Sequence, residues 1–408
     1  MSISMSKKQA WSYKESTART NLWVGSVRSG KTWASIFRWI RYLSDAPDGD
    51  LLMIGKTGRT IYRNVIRPME DLLGSSMRYF PGKGEVHMFD RRIFIVGAND
   101  ERAEGIIRGM TCAGAYGDEP TLWPESFFNQ LLSRVSVKNS KIFAATNTDS
   151  PYHYLKKKFV DRVDELNLKV FEFKIDDNPF LDQEYVAALK KEYVGLWYDR
   201  FISGLWTLAE GAIYDFYNED LHVIPDKMFP RPQFTVVGVD YGTSNPTVFI
   251  EYGVNYNTKP KIWAIKEWYY DASGERIQLT DDEYAEEFEE WLEHDRPRAI
   301  IIDPSAASFR VALRKRGYGQ VEEADNDVTG GIRLVAKMLK SGDYKIGESC
   351  QNLREERPGY SWDPKAQLRG LDEPIKKDDH CMDNERYVIK TLFDEDNLVE
   401  TTRGPFGV

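Results

Sequence analysis

Cysteine is scarce in this 408-residue chain. Its three thiols, Cys112, Cys350 and Cys381, stand far apart, with neither the paired spacing of a zinc cage nor the density of a disulfide scaffold. A reducing compartment is expected. Long apolar runs are also missing: none approaches the roughly eighteen uncharged residues of a transmembrane helix. The opening MSISMSKKQA lacks the apolar stretch of a secretory signal, so the chain is expected to stay in the compartment that makes it, away from membranes. There is no excess of positive charge either. With 55 Lys and Arg against 64 Asp and Glu, the formal charge is -9. That argues against a surface that coats nucleic acid all over, since neutralised phosphates supply most of such affinity. Local basic patches remain open. Internal repeats and low-complexity tracts are absent, which leaves a solenoid without a starting point.

What is present reads as folded and multi-domain. Hydrophobic residues make up 41% and charged residues 29%, and the length suits two or three domains. Eleven tryptophans point to large cores and interfaces rather than rows of base-stacking platforms. Short apolar runs at 21–24, 51–54, 93–96 and 142–145 alternate with helix-like segments such as 32–44, which predicts an α/β unit with a largely parallel sheet. From about 176 to 215 the pattern turns helical and aromatic, as expected of a small lid or linker. Pro225, Pro230 and Pro232 then make 222–234 an extended joint. After it, 234–254 and 261–271 read as a hairpin with a Gly-Thr-Ser-Asn turn. A helix over 281–294, a buried strand over 298–303 and a closing helix over 380–393 follow. The resulting division is 1–175, 176–228 and 229–408.

Gly25-Ser26-Val27-Arg28-Ser29-Gly30-Lys31-Thr32 matches GxxxxGK[ST], follows the apolar run LWV and leads into a helical segment. In such a loop the glycines let backbone N–H groups face phosphate oxygens, and the helix N-terminus adds partial positive charge. Lys31 would hold the β and γ phosphates of a nucleotide, and Thr32 would place its hydroxyl on Mg²⁺. A P-loop also needs a second carboxylate for the metal and a group to orient water. Asp118-Glu119, ending CAGAYGDE, is the candidate pair: Asp118 for the metal and Glu119 for the water. The small residues of that run leave its place in the sheet open. Thr146-Asn147, after another strand, could sense the γ phosphate.

In the second half, Asp240 ends VVGVD and Asp303 ends AIIID, each where a buried strand stops. Carboxylates placed in this way can converge on Mg²⁺ or Mn²⁺, and two ions could clamp the attacking water and leaving oxygen of a phosphodiester. A third ligand is sought in DDHCMDNERY. His380 and Asp383 are three apart and share a helix face, with Asp378 and Asp379 as alternatives to Asp383. Asn384 and Glu385 on the same stretch predict a rather exposed helix. The runs Lys156-Lys157-Lys158 and Arg314-Lys315-Arg316 are candidate DNA-facing patches or simply solvated faces.

Together these features resemble the large terminase subunit of tailed bacteriophages. The residues that carry the resemblance are Lys8-Gln9, GSVRSGKT, the strands around 89–97 followed by Ile107-Arg108-Gly109, Asp118-Glu119, Thr146-Asn147, Asp240, Asp303 and the string at 378–387. The resemblance implies an α/β chain with a RecA-like P-loop ATPase of the additional-strand type, a lid, and a ribonuclease H-like nuclease. It implies ATP with Mg²⁺ at the first site and two Mg²⁺ or Mn²⁺ ions at the second. Gln9 would contact adenine, Thr146-Asn147 would couple hydrolysis to movement, and Arg108 or Arg28 would reach a neighbour's nucleotide. Implied partners are double-stranded DNA, a portal protein, a small terminase subunit and further copies in a ring, in the cytoplasm of an infected bacterium. A repair-type translocase with a nuclease, or an ATP-switched DNA clamp whose C-terminal domain does not cut, are the competing expectations.

Overall fold

The computed structural model describes residues 4–242, 245–275, 277–293 and 295–394. Thr243 and Ser244 of the expected turn, and His294 at the end of the expected helix, lie outside them. The chain divides after Leu208 into two compact units, with Leu368–Leu371 belonging to the first. The segment 176–228 is thereby shared between the units. Its helices Gln183–Glu192 and Gly195–Tyr198 fall in the first and Glu219–His222 in the second. Among the described residues no helix is long and apolar enough to cross a membrane.

The first unit is built on eight strands: β1 (Thr20–Gly25), β2 (Asp50–Gly55), β3 (Met77–Phe80), β4 (Glu85–Met88), β5 (Arg91–Gly97), β6 (Cys112–Asp118), β7 (Lys141–Thr146) and β8 (Leu168–Phe173). Their order is β3-β4-β5-β2-β6-β7-β1-β8. From β5 to β8 all neighbours pair in parallel, and β3-β4-β5 add an antiparallel edge. Strand β7 therefore stands between β1, which feeds the glycine loop, and β6, which ends on the acidic pair. This is the additional-strand arrangement. Buried side chains pack on both faces, which is why the central strands read as unbroken apolar runs.

The composition of β6 has a steric cause. A Cβ on Gly114 would meet the Tyr42 ring at 2.6 Å, and one on Gly117 would meet the Trp123 ring at 2.7 Å. Aromatic rings fill the space on either side, so only small residues fit there. All of β6 is buried, and Asp118 pairs in register with Ala145 of β7.

The second unit holds β9 (Val223–Ile224), β10 (Phe234–Asp240), β11 (Thr247–Val254), β12 (Ile262–Tyr270), β13 (Ala299–Ile302), β14 (Val321–Glu323) and β15 (Tyr344–Gly347), in the order β14-β13-β10-β11-β12-β15-β9. Strands β10, β11 and β12 form an antiparallel meander, and β13 and β14 extend it in parallel from β10. That five-strand core is ribonuclease H-like.

The helix His380–Phe393 lies against β10 and β11. A Cβ on Gly238 would come within 2.3 Å of Asn384 Oδ1, so a glycine in β10 permits the close approach. The expectation that this helix is exposed is wrong, since Asn384 and Glu385 are both 0% exposed. Asn384 bonds the Tyr252 hydroxyl and the Val248 carbonyl, and Glu385 bonds Arg357 and the Tyr344 hydroxyl. Polar residues are tolerated in this interior because each finds a partner. The three cysteines are buried and unpaired.

Candidate active sites

At the first centre, β1 ends in a tight loop that must curl over itself. Gly25 has φ 141° and a Cβ there would sit 1.8 Å from the Phe173 carbonyl oxygen, so no other residue fits. Gly30, at φ 85°, opens the helix Lys31–Asp45, whose first turn has no side-chain cap. Its amide groups are thus left for an anion. That helix buries Ile36, Trp39 and Leu43 along one stripe, which fixes its N-terminus over the sheet. Ser29 Oγ donates to the Ser26 carbonyl at 2.8 Å, tightening the loop from inside. Gln9 does so from outside: its Nε2 donates to the Gly30 carbonyl at 3.0 Å while its Oε1 accepts from Ser6 N at 2.8 Å.

Lys31 is 4% exposed. Burial holds its pKa below the usual lysine value, with Glu119 and Asp118 pulling the other way. Its Nζ donates to the Ser26 carbonyl at 3.0 Å and to Asn147 Oδ1 at 2.7 Å. Asn147 in turn donates to Glu119 through its backbone N at 2.8 Å and its Nδ2 at 3.1 Å, and Thr146 Oγ1 donates to the same carboxylate at 3.1 Å. Glu119 takes this position from a left-handed backbone, φ 54°, just past β6. The loop lysine, the β7 end and the acidic pair are therefore one hydrogen-bonded chain. Asp118 is 4% exposed. Burial first, and Glu119 second, push its pKa up to about 7, although Asn64 Nδ2 donates to it at 2.9 Å. A buried carboxylate that ionises with such difficulty suits a divalent cation, which would relieve the repulsion.

At the second centre, β10 and β13 run side by side in register from Val236↔Ala299 to Val239↔Ile302, so Asp240 and Asp303 emerge at the same end of neighbouring strands. The helix His380–Phe393 crosses there. His380 Nδ1 lies 3.0 Å from Asp240 Oδ2, and the Tyr387 hydroxyl donates to Asp303 Oδ2 at 3.1 Å. Burial, with added repulsion from Asp383 and Asp303, raises the Asp240 pKa to about 6. Burial opposes the His380 imidazolium, yet the adjacent Asp240 carries its pKa above the usual histidine value. Asp383 would also be raised by burial, but Arg386 and Lys376 outweigh that and hold it low. Of the alternatives, Asp378 is exposed and pairs with Lys377 at 3.6 Å, while Asp379 is buried. Each carboxylate is thus turned to a side-chain partner of its own. Among the described residues no three His, Cys, Asp or Glu groups converge closely enough to hold a metal. The mutual repulsion that raises Asp240 is still the kind a hard cation relieves.

Residues 22–220 match the family model described as terminase large subunit, T4likevirus-type, N-terminal. The crystal structure of the large terminase from a thermophilic bacteriophage, in complex with ADP, is 35% identical, covers 96% of this chain and 100% of its own, and has a TM-score of 0.88. The chain belongs to the large-terminase family. Another crystal form of the same phage's terminase gives a TM-score of 0.89 at 35% identity over 96% and 99% of the two chains, and its ATP-gamma-S complex gives 0.87 at 35% over 95% and 99%. No curated protein matches. The protein is accordingly a DNA-packaging motor subunit with a nuclease domain.

Other expected residues of this terminase fall outside the two clusters. Arg108 is 70% exposed by its side chain and, just past the short helix Glu104–Ile107, pairs with Glu104 at 2.8 Å. Arg28 is exposed on the loop with φ 56°, and its carbonyl accepts from Asn178 Nδ2 at 2.7 Å. In the first lysine run, Lys156 pairs with Asp161, Lys158 with Glu125, and Lys157 lies 4.2 Å from the Tyr152 ring centroid. In the second run, Arg316 pairs with Glu289 at 2.6 Å and Arg314 donates to the Val321 carbonyl at 3.1 Å. Sequence reasoning missed Asn64, which reaches Asp118 from a π-helical turn, Tyr62–Ile66, an irregularity often found at functional sites. It also missed Glu356, a buried acid whose pKa burial raises to about 7 and which accepts from Cys381 N at 2.7 Å, next to His380.

Proposed function

We propose that this large terminase hydrolyses ATP at the Gly25–Thr32 loop to drive double-stranded viral DNA into a procapsid, and cuts that DNA with its C-terminal domain when packaging starts and ends. The observation that carries the motor reading is the chain Lys31–Asn147–Glu119, which ties the phosphate loop to the acidic pair across three adjacent strands. Lys31 is held by two neutral oxygens, so a γ phosphate would draw it away from Asn147. The Asn147 side chain would then turn and release Glu119 Oε1, which its Nδ2 holds, while Asn147 N and Thr146 Oγ1 keep Oε2 in place, freeing Oε1 to orient and deprotonate the attacking water. Thr146-Asn147 thereby report the state of the phosphate to the end of β7. Thr32 and Asp118 would hold Mg²⁺, which would offset the negative charge of the phosphates. Gln9 supports the loop from the side on which the base would lie. Arg108 or Arg28 would act on a neighbouring subunit's nucleotide in a ring, and both are exposed enough to do so.

For the nuclease, Asp240, Asp303 and Asp383 with His380 would hold one or two Mg²⁺ or Mn²⁺ ions, which supply an activated water and stabilise the leaving oxygen. The protein groups position the rest: Tyr387 orients Asp303 and His380 orients Asp240. DNA contacts through phosphates alone would let the motor move any sequence. The portal protein, the small terminase subunit and further copies of the chain complete the assembly in the cytoplasm of the infected host. The deciding experiment is a packaging assay with purified procapsids, in which wild-type protein protects DNA from external nuclease in an ATP-dependent manner. If ATP is consumed and no DNA is protected, the reading fails.

A further inference from the structure

The nuclease centre contains its own cation. Lys376 Nζ lies 2.7 Å from Asp383 Oδ2 and 3.1 Å from Asp379 Oδ2, balancing two carboxylates at once. Asp379 Oδ2 is buried and accepts no hydrogen bond among the described residues, so the ammonium is its charge partner. The other Asp383 oxygen, Oδ1, accepts from Arg386 Nη2 at 2.9 Å.

These two cations differ in freedom. The Arg386 side chain is 1% exposed, donates to Asn326 Oδ1 at 2.9 Å and lies 4.7 Å from the Tyr387 ring centroid. It cannot leave without stranding a buried charge. The Lys376 side chain is 58% exposed, and a lysine's four-carbon stem can swing its ammonium into water. Oδ2 is therefore the oxygen that Asp383 can release. The lysine end of these pairs is exposed, but the Asp383 and Asp379 side chains are 12% and 7% exposed, so Lys376 also offsets the charge of two buried acids. A divalent ion, however, takes carboxylate oxygens, and an oxygen facing an ammonium at 2.7 Å already has its charge balanced.

We propose that Lys376 is a resident counter-ion of the nuclease centre, competing with the divalent ion for Asp383 and so setting the metal concentration at which the centre assembles. This rests on the metal-dependent nuclease reading above. With Lys376 in place the acids are neutralised and held apart from a common metal. With it displaced, Asp383 can turn toward Asp240 and Asp303, whose charges already reach one another.

The test is Mn²⁺ binding by the full chain without nucleotide, followed through the electron paramagnetic resonance signal of free Mn²⁺, with Asp383→Asn defining the part that belongs to the nuclease. Lys376→Gln is expected to tighten that part about three- to fivefold, the weight of a partly exposed ion pair. Lys376→Arg, which keeps the charge, is expected to bind no more tightly than wild type. Melting curves without metal check that the variants fold. Equal or weaker Mn²⁺ binding by Lys376→Gln would overturn the proposal alone. If wild type shows no Mn²⁺ binding that Asp383→Asn removes, the metal-dependent reading falls, and this proposal with it.

Discussion

The two centres of this terminase solve opposite electrostatic problems. At the phosphate loop a buried lysine donates to two neutral oxygens and uncapped helix amides lie open, so the site suits a polyanion. At the nuclease three acids are each engaged by histidine, tyrosine, lysine or arginine, so each has a side-chain partner before any metal arrives. The first is poised to react and the second is restrained. On the proposed function, a motor that hydrolyses ATP continually and cuts DNA rarely would need that difference.

The comparison can be broken most severely by removing one centre at a time. Lys31→Ala should lower ATP hydrolysis by roughly a hundredfold or more, because a preorganised charge on the transferring phosphoryl group is lost. Plasmid cleavage with Mn²⁺ should persist in that variant. Asp240→Asn should do the reverse, and a steady-state ATPase assay beside an agarose gel reads both. Continued cutting by Asp240→Asn would mean that the acids at the ends of β10 and β13 are not the nuclease.

Next in size is the buried pair behind the nuclease. Arg357 and Glu385 have fully buried side chains, and Arg357 lies 5.1 Å from the ring centroids of both Tyr214 and Tyr217. Burial opposes the charge on Arg357, but Glu385 beside it raises the guanidinium pKa above its usual value. Arg357→Met leaves Glu385 without its partner and should cost about 3–5 kcal/mol, read as a lower urea midpoint. Arg357→Met with Glu385→Leu should recover much of that loss. Recovery would show that the penalty lies in the stranded charge and not in lost contacts.

A smaller effect sharpens the ATPase side. The folded Asp118 pKa, about 7, is raised above the usual carboxyl value of 3.8. The folded state therefore binds this proton more tightly than the unfolded chain, and the group's contribution to stability is lost as pH rises toward and through 7. Asp118→Asn should accordingly stabilise the nucleotide-free protein at pH 8, by about 1–3 kcal/mol, and by less than half as much near pH 5, since the loss begins above the unfolded value of 3.8. Equal stabilisation at both values would remove Asp118 as the titrating group. The smallest expected effect is that of Arg108→Ala. The melting temperature and the ATPase of the isolated chain should not change, while DNA-stimulated hydrolysis by the docked ring should fall if this arginine acts on a neighbour.

Local features are legible in the sequence. GxxxxGK[ST] is a consecutive string whose chemistry depends on its own backbone, and Asp240 and Asp303 announce themselves where apolar runs stop. The closing helix, expected over 380–393, spans those same residues. Features set by remote partners are not legible. Strand order alone brings β7 between β1 and β6, and with it Asn147 to Lys31, 116 positions apart. Glu385 reads as a solvent residue because its partner, Arg357, is 28 positions away, in another element. Asn64 has no signal at all, since nothing in YRNVI marks a π-helical turn that aims an amide at Asp118.

The two glycines of β6 carry a consequence for how such an engine can change over time. With Tyr42 pressed on one side of that strand and Trp123 on the other, neither Gly114 nor Gly117 can gain a methyl group unless a ring first shrinks or withdraws. The rail that carries Asp118 and Glu119 to the end of the sheet is therefore locked to two aromatics that lie against its flanks. Any lineage that swaps one of them must adjust the strand in the same step, or lose the alignment of its acids.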